Sequence, residues 1–226
     1  MNWIDEGYLI SKSKYNENSI VAEFYTKNRG KCSGIIFGST SKKNRSYLQI
    51  GNKLHLNYNY KNESKIGSFK VEIIKVITPL YFDNKKKLLC ISSAMSLVKL
   101  LTVEFQENKK IFDDIENLFI NLDSTLWLKK YIFWELNLLK YLGYDLSLKN
   151  IVTSEIRNNK KKYFVKSNST IKHVPSFLVE KNNDNTDYET LISGLKIVTD
   201  YLDKSILKEN NVSQPLPRLN FINTLR

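Results

Sequence analysis

Apolar and polar residues alternate in the first third of the chain with the period of a β-strand. Residues 53–61 are the clearest case: Leu54, Leu56, Tyr58 and Tyr60 fall on one face, and Lys53, His55, Asn57, Asn59 and Lys61 on the other. Shorter apolar segments at 7–10, 19–25, 30–38 and 68–78 are separated by turn residues and also read as strands. Five or six short strands within residues 2–78 suit a small closed antiparallel barrel of the OB type.

After Pro79 the apolar residues repeat at helical spacing. Residues 88–105 are dense enough in apolar side chains to predict a buried helix, and residues 111–122 predict an amphipathic one. A third helix is predicted through 127–142, with Ser124 as its cap. We expect these three helices to pack as one core. The change of period places a domain boundary near 79–85, and so predicts an OB-type barrel over 1–79 and a mainly helical domain over 80–226.

The remainder of the chain mixes both periods. Residues 151–174 are strand-like or irregular and predict a hairpin-like insert with a basic turn at 160–162. Thr186 and Glu189 have the spacing of a capping box and predict a helix that runs to about Leu207. A short last helix should begin with Pro217 at its first position. Its predicted docking residues are Leu219, Ile222 and Leu225. The predicted fold class is therefore α+β.

The charge of the chain is +12 over 226 residues, and it is concentrated within the predicted barrel. Residues 24–62 contain eight lysines and arginines and no aspartate or glutamate. A codon bias towards lysine would explain the many cations but not the missing carboxylates. Such a segment attracts a polyanion, and a basic sheet that carries aromatics suits a nucleic-acid backbone. The predicted binding residues, three of them in a polar loop over 39–45, are Lys27, Arg29, Lys31, Lys42, Lys43, Arg45 and Lys53.

The inventory of metal-binding residues is small. The chain has two cysteines, Cys32 and Cys90, and two histidines, His55 and His173, and none of them forms a close pair. A zinc site normally needs four such ligands with closely spaced members. We therefore expect no metal and no disulfide framework, which fits a reducing cytoplasm.

Catalytic motifs are missing as well. The sequence has no glycine-rich phosphate loop, no zinc-protease motif and no nucleophile elbow. Asp113, Asp114 and Glu116 would lie on the solvent side of their helix. We expect neither a catalytic residue nor a cofactor, and so a protein that is not an enzyme. No signal peptide and no apolar run of membrane length is evident, which predicts a cytoplasmic, nucleoid-associated protein.

Several short motifs, taken in order, resemble those of the bacterial recombination mediator family RecO, in its alphaproteobacterial form. The segment 3–10, the turn 15–19, the turn 26–31 and the segment 48–52 resemble the family's first domain. Gly38 with the cations that follow it resembles a glycine-plus-basic loop. Residues 134–144 are similar to the family's aromatic-Glu-Leu helix end, and 215–218 to its C-terminal approach. Each motif is weak alone, but their order and spacing are fairly specific.

The resemblance implies an OB barrel followed by a helical domain. It also implies binding to single- and double-stranded DNA, annealing of complementary strands, and help to RecA in replacing single-strand-binding protein. The implied protein partners are RecR and the C-terminal tail of single-strand-binding protein. Many family members carry a four-cysteine zinc module, but Ile151, Val152 and Thr153 stand where its first cysteines would be. A zinc-free hairpin is expected in its place.

Two other functions fit the residues. The helical domain could serve as a protein-docking adaptor with nonspecific basicity. The barrel could instead bind RNA, since the charges do not distinguish RNA from DNA. Salt dependence separates the first alternative from DNA binding, because binding to phosphates weakens steeply with salt.

Overall fold

A computed structural model describes residues 2–60, 66–157, 160–167, 170–180 and 186–226. Lys61, one of the eight cations of the basic stretch, lies outside the described residues. The strands are β1 (Asn2–Asn16), β2 (Ser19–Thr26), β3 (Gly30–Phe37), β4 (Lys53–Asn59), β5 (Ser68–Lys75), β6 (Thr153–Arg157), β7 (Lys160–Ser167) and β8 (Thr170–Val174). The helices are α1 (Lys42–Tyr47), α2 (Lys85–Leu101), α3 (Lys109–Ile120), α4 (Trp127–Tyr141), α5 (Leu148–Ile151), α6 (Ser176–Glu180), α7 (Tyr188–Leu202) and α8 (Leu216–Leu225).

The first five strands form a closed barrel in the order β1-β2-β3-β5-β4, which is the topology of an OB fold. All pairings are antiparallel except a short parallel contact in which Ile35 of β3 meets Ser68 of β5. Leu54, Leu56 and Tyr58 are buried, as the alternation in β4 predicts. They join an aromatic and aliphatic core in which the rings of Trp3 and Tyr58 stack 4.7 Å apart. The prediction of an α+β chain that begins with an OB-type barrel is confirmed.

Of the segment 39–45, predicted to be a loop, residues 39–41 form a turn, but residues 42–45 lie in the short helix α1. Ser41 caps α1 because its hydroxyl accepts a hydrogen bond from the Asn44 amide at 3.2 Å. The Asn44 side chain donates to the Gly38 carbonyl at 2.9 Å, and Gly38 has a φ of +67° that favours glycine. Leu48, just after the helix, is buried in the barrel core. Local side-chain caps, with Leu48 and the partly buried Tyr47 packed on the core, form a helix that is too short for periodicity to reveal.

Two compact units divide the chain. The first extends to Asp123 and also takes in Pro215–Leu225, so it contains the barrel, α2, α3 and α8. The second is Ser124–Gln214. The three helices predicted to form one core are thus divided between the units. In α8, which begins at Leu216, the buried residues are Arg218, Phe221 and Leu225, whereas Leu219 is exposed, so only Leu225 of the predicted docking set is buried.

Within the second unit α4 packs against α7, and β6, β7 and β8 form an antiparallel sheet. The helix α7 is capped by Asp187, whose carboxylate accepts from the Thr190 amide at 2.8 Å. The prediction of a cap at Thr186 is therefore wrong by one residue. Ser124 accepts from the Leu126 amide, but α4 begins only at Trp127 and Leu126 is its cap residue. The insert over 151–174 holds three strands rather than a single hairpin.

None of the described helices is both long and apolar enough to cross a membrane. Within the described ranges no group of three or more histidine, cysteine, aspartate or glutamate side chains is arranged to hold a metal ion.

Candidate nucleic-acid interface

The cations predicted to bind nucleic acid lie at two opposite ends of the β2–β3 hairpin. In its register Thr26 pairs with Gly30 at one end, next to Lys27, Arg29 and Lys31. Ser19 pairs with Phe37 at the other end, where the chain enters α1 with its three cations. Eight residues of strand separate the two ends, a distance of about 25 Å. The sequence presents one basic segment, but the fold turns it into two separate groups.

Two cations of the first group, Lys31 and Lys53, belong to a row of four neighbouring residues on the outer side of the barrel. Lys53, Tyr8, Tyr25 and Lys31 pair in turn across β4, β1, β2 and β3. Helices of the same unit cover this row: the Tyr8 ring lies 5.3 Å from the Phe112 ring, and the Tyr25 hydroxyl donates to the Asn108 carbonyl at 3.3 Å. The Lys31 ammonium donates to the Lys99 carbonyl at 3.0 Å. This row is therefore a packing surface.

Lys53 is the clearest departure from the sequence prediction, which placed its side chain on an exposed polar face. It is only 7% exposed. Its ammonium lies 3.1 Å from a Glu116 carboxylate oxygen and 3.4 Å from one of Glu6, and 5.2 Å from the centre of the Phe112 ring. Glu116 of α3 and Glu6 of β1 thus supply the counter-charge that the local sequence lacks.

The β2–β3 turn is also neutralised. Lys27 forms an ion pair with Glu6 at 3.0 Å. Buried Asp5 accepts hydrogen bonds from the amide and the side chain of Asn28 at 3.0 and 2.8 Å, and the Arg29 guanidinium lies 5.0 Å above the Trp3 ring. Burial opposes the charged form of Glu6, but the hydrogen bond from Lys27 and the attraction of Lys53 outweigh it, so the pKa of Glu6 is lowered. The cations at this end already have partners.

The second group has no such compensation. Lys42, Lys43 and Arg45 are exposed on α1, and none of them forms an ion pair with any described residue. The Lys43 ammonium lies 5.6 Å from the Tyr47 ring centre. A hydrogen bond from the Ser39 amide to the Asn18 carbonyl at 3.0 Å fixes the start of this segment to the β1–β2 turn. Lys12 donates to the Leu48 carbonyl, and burial lowers the pKa of this lysine.

Two exposed aromatic side chains lie at the same end of the barrel. Asn16 pairs with Ser19, and Ser19 pairs with Phe37, so the end of β1 and the end of β3 flank β2. Phe37 is 62% exposed and Tyr15 is 57% exposed. Sequence reasoning missed both, although a large apolar residue directly before a glycine turn is a usable signal. We call the set Tyr15, Phe37, Lys42, Lys43 and Arg45 the α1 rim.

The α1 rim combines two features that recognise a nucleic-acid strand. Exposed cations replace condensed counterions on phosphates, and exposed aromatic rings stack with bases irrespective of sequence. The adjoining β1–β2 turn carries one exposed carboxylate, Glu17, and the exposed Lys14 precedes it in β1. In OB folds the β2–β3 face and the β1–β2 loop form the usual oligonucleotide surface, and the α1 rim adjoins both.

The fold and the α1 rim define a class of protein: an OB-barrel protein with a basic, aromatic surface and a mostly helical remainder. The chain belongs to the RecO family, because the family model "Recombination protein O N terminal" matches residues 1–77 and "Recombination protein O C terminal" matches residues 84–205. The predicted family is confirmed.

Curated relatives agree with this assignment. The "DNA repair protein RecO" of Rickettsia africae is 35% identical over 156 residues, which cover 69% of this chain and 65% of the relative. The chain thus matches just under two thirds of that protein's length. The protein of the same name from the Wolbachia of Culex pipiens is 27% identical over 234 residues, covering 95% of this chain and 96% of the relative. Among solved structures, Entamoeba histolytica asparaginyl-tRNA synthetase is 12% identical with a TM-score of 0.28, covering 95% of this chain and 59% of that one, and this supports no inference.

Proposed function

We propose that this protein acts in DNA repair and homologous recombination by binding DNA strands and annealing them, and that the α1 rim is a strand-binding surface. The single observation that carries the proposal is the α1 rim itself: three exposed cations that form no ion pair with any described residue, beside two exposed aromatic rings. DNA rather than RNA is supported by the name of the relatives, "DNA repair protein RecO".

The physical basis of annealing requires no catalytic residue. Two complementary strands repel each other through their phosphates, and a basic surface lowers that repulsion while it holds them close. Contacts to phosphates carry no sequence information, so the same surface serves any pair of complementary strands. Stacking on Tyr15 and Phe37 would add affinity for unpaired bases, which a duplex does not offer.

Family membership supports three further parts of the proposal. These are help to RecA in replacing single-strand-binding protein, association with RecR, and binding of the C-terminal tail of single-strand-binding protein. The acidic tail would complement the net charge of +12 of this chain. Calorimetry of the full chain with a synthetic tail peptide, and size-exclusion chromatography with purified RecR, would test the two partners separately.

The decisive experiment reverses the three charges of α1 in the variant Lys42→Glu, Lys43→Glu and Arg45→Glu. All three side chains are exposed, so the barrel should fold. Loss of up to three phosphate contacts should flatten the plot of log affinity against log salt concentration by about 2 for single strands, at about 0.7 per contact. The loss should be uniform across sequences. Fluorescence anisotropy over a series of salt concentrations measures this slope.

A matched control reverses three exposed lysines elsewhere, Lys85, Lys109 and Lys208. It changes net charge equally and should leave the salt slope nearly unchanged. In a second comparison, replacing Tyr15 and Phe37 by alanine should weaken binding to single strands more than binding to duplex. If the α1 variant keeps the wild-type slope and remains folded by circular dichroism, the α1 rim is not the DNA surface.

A further inference from the structure

The second unit contains another basic sheet, formed by β6, β7 and β8. Residues 153–174 hold six lysines and arginines and a single carboxylate, Glu155. The register fixes which side chains share a face: Tyr163 pairs with Ser154 and Val174, whereas Phe164 pairs with Thr153 and His173. Because neighbouring residues of a strand point to opposite sides, the sheet has two distinct faces.

One of these faces is a packing surface. Tyr163 and Val174 are buried, and the Tyr163 hydroxyl donates to a Glu180 carboxylate oxygen at 2.7 Å at the end of α6. Lys172, which shares this face through its pairing with Val165, forms an ion pair with Asp200 of α7 at 3.3 Å. This face is therefore taken up by helices of its own unit.

The opposite face carries several exposed side chains. His173 and Lys162 are exposed, and Phe164 is half-buried between Thr153 and His173 in the register. The rings of Phe164 and His173 lie edge to face with centroids 5.6 Å apart. An aromatic pair next to a lysine, on a sheet with one carboxylate, has the features of a platform for a nucleic-acid strand. We call Lys162, Phe164 and His173 the sheet platform.

We propose that the sheet platform is a second binding site for a single strand of nucleic acid, separate from the α1 rim. This inference rests on the proposed annealing function, because a second strand-binding site is needed when one protein holds two strands together. Lys162 contributes a phosphate contact, and Phe164 with His173 supplies ring surface for a base. A purely acidic peptide would use the charge of this face but has no ring to stack on Phe164 and His173, and for this reason we favour a strand.

The experiment counts and measures sites on the full chain with a fluorescent oligothymidylate of about 8 nucleotides, which is short enough for one OB-sized site. The wild-type protein should bind two oligonucleotides, and the α1 variant should bind one. In the background of the α1 variant, Phe164→Leu should weaken the remaining site about five-fold or more, the lower limit for loss of a base-stacking contact. Phe164→Tyr keeps the ring and should bind normally.

Charge reversals at the adjacent residues Lys161 and Lys162 test which face of the sheet binds the strand. Both side chains are exposed, so these variants should not disturb the buried core. Lys162→Glu should weaken the site, whereas Lys161→Glu, which makes the same change on the opposite face, should weaken it clearly less. Glu155→Lys, directly opposite Lys162 in the register, should strengthen it. Equal effects of the changes at Lys161 and Lys162 would overturn the inference, since only net charge would then matter.

The outcomes also separate this inference from the proposed function. If the sheet variants leave two sites of unchanged affinity, the sheet platform is wrong and the α1 rim stands. If the α1 variant leaves two sites and the sheet variants remove one, the α1 rim is wrong and the sheet platform stands. The assignment to a nucleic-acid strand would be overturned if a poly-glutamate peptide bound as tightly as the oligonucleotide and Phe164→Leu left the affinity for the peptide unchanged.

Discussion

Replacing Lys53 by methionine should destabilise the barrel. The sequence predicts this lysine as a DNA-binding residue, but the structure gives it a role in stability. Methionine has nearly the same volume but leaves the Glu6 and Glu116 carboxylates without the ammonium that lies 3.4 and 3.1 Å from them. Breaking a fully buried pair costs about 3–5 kcal/mol, and an exposed pair contributes about 0–1 kcal/mol. The two carboxylate side chains are 27% and 37% exposed and can regain water, so we expect a loss of about 1–3 kcal/mol.

Native-state hydrogen exchange of the β4 amides measures this loss within the barrel itself, which avoids assuming that the two units unfold together. The expected change corresponds to exchange faster by about 5- to 150-fold, at 1.4 kcal/mol per factor of ten. The control is Lys27→Met, which removes a lysine from the same Glu6 carboxylate but at an exposed position, and should have little effect. Equal protection in both variants would refute the structural role that we assign to Lys53.

The pH dependence has a defined sign. The folded-state pKa of Glu6 is lowered, so its contribution to stability is present above its unfolded pKa of about 4.3 and is lost as pH falls through the folded value. Without Lys53 the pKa of Glu6 should be depressed less. The stability difference between wild type and Lys53→Met should therefore shrink as pH falls below about 4. The same variant, once folded, should keep the wild-type salt slope for DNA.

Two further predictions concern buried positions. Burial raises the pKa of Cys32 to about 12, and Cys90 is fully buried. A thiol reagent at neutral pH should therefore label neither cysteine until the protein unfolds. Rapid labelling of the native protein would contradict this. Gly51 and Gly143 have φ of +91° and +90°, but a methyl group at Gly51 would lie 2.5 Å from Ile91 whereas nothing lies within 4 Å at Gly143. By hydrogen exchange in each unit, Gly51→Ala should therefore cost at least about 1 kcal/mol more than Gly143→Ala, and equal costs would show that Ile91 moves aside freely.

The sequence was sufficient for the barrel because strand alternation is a local property. Leu54, Leu56 and Tyr58 are buried where period two places them, and the helices 109–120 and 127–141 lie within two residues of their predicted bounds. The helix predicted over 88–105 is present at 85–101, but it ends four residues early, and Val103 and Phe105 are exposed. Short elements were not accessible in this way. The helix α1 has six residues and no buried one, so it leaves no periodic signal, and only its Ser41 cap could have indicated it.

The division between structural and available cations was not accessible either, because it depends on contacts between residues far apart in sequence. Lys53 finds its carboxylate 63 residues away in Glu116, and Lys31 finds the Lys99 carbonyl 68 residues away. A gap in acidic residues along the chain therefore says little about which charges remain unpaired. Exposure of Tyr15 and Phe37 likewise follows from where strands end in the barrel and not from residue type.

The distribution of partners supports the proposal that the two ends of the β2–β3 hairpin serve different purposes. At the end near α3, each positive group already has a defined use: Lys53 is buried between carboxylates, Lys27 is paired with Glu6, and Arg29 stacks on Trp3. Using them for DNA would mean breaking interactions within the barrel and, at Lys53, the ion pair between the barrel and α3. At the end near α1 the cations form no ion pair with any described residue, so binding a phosphate there breaks no such pair. A surface that must bind and release strands repeatedly is therefore expected at the α1 rim.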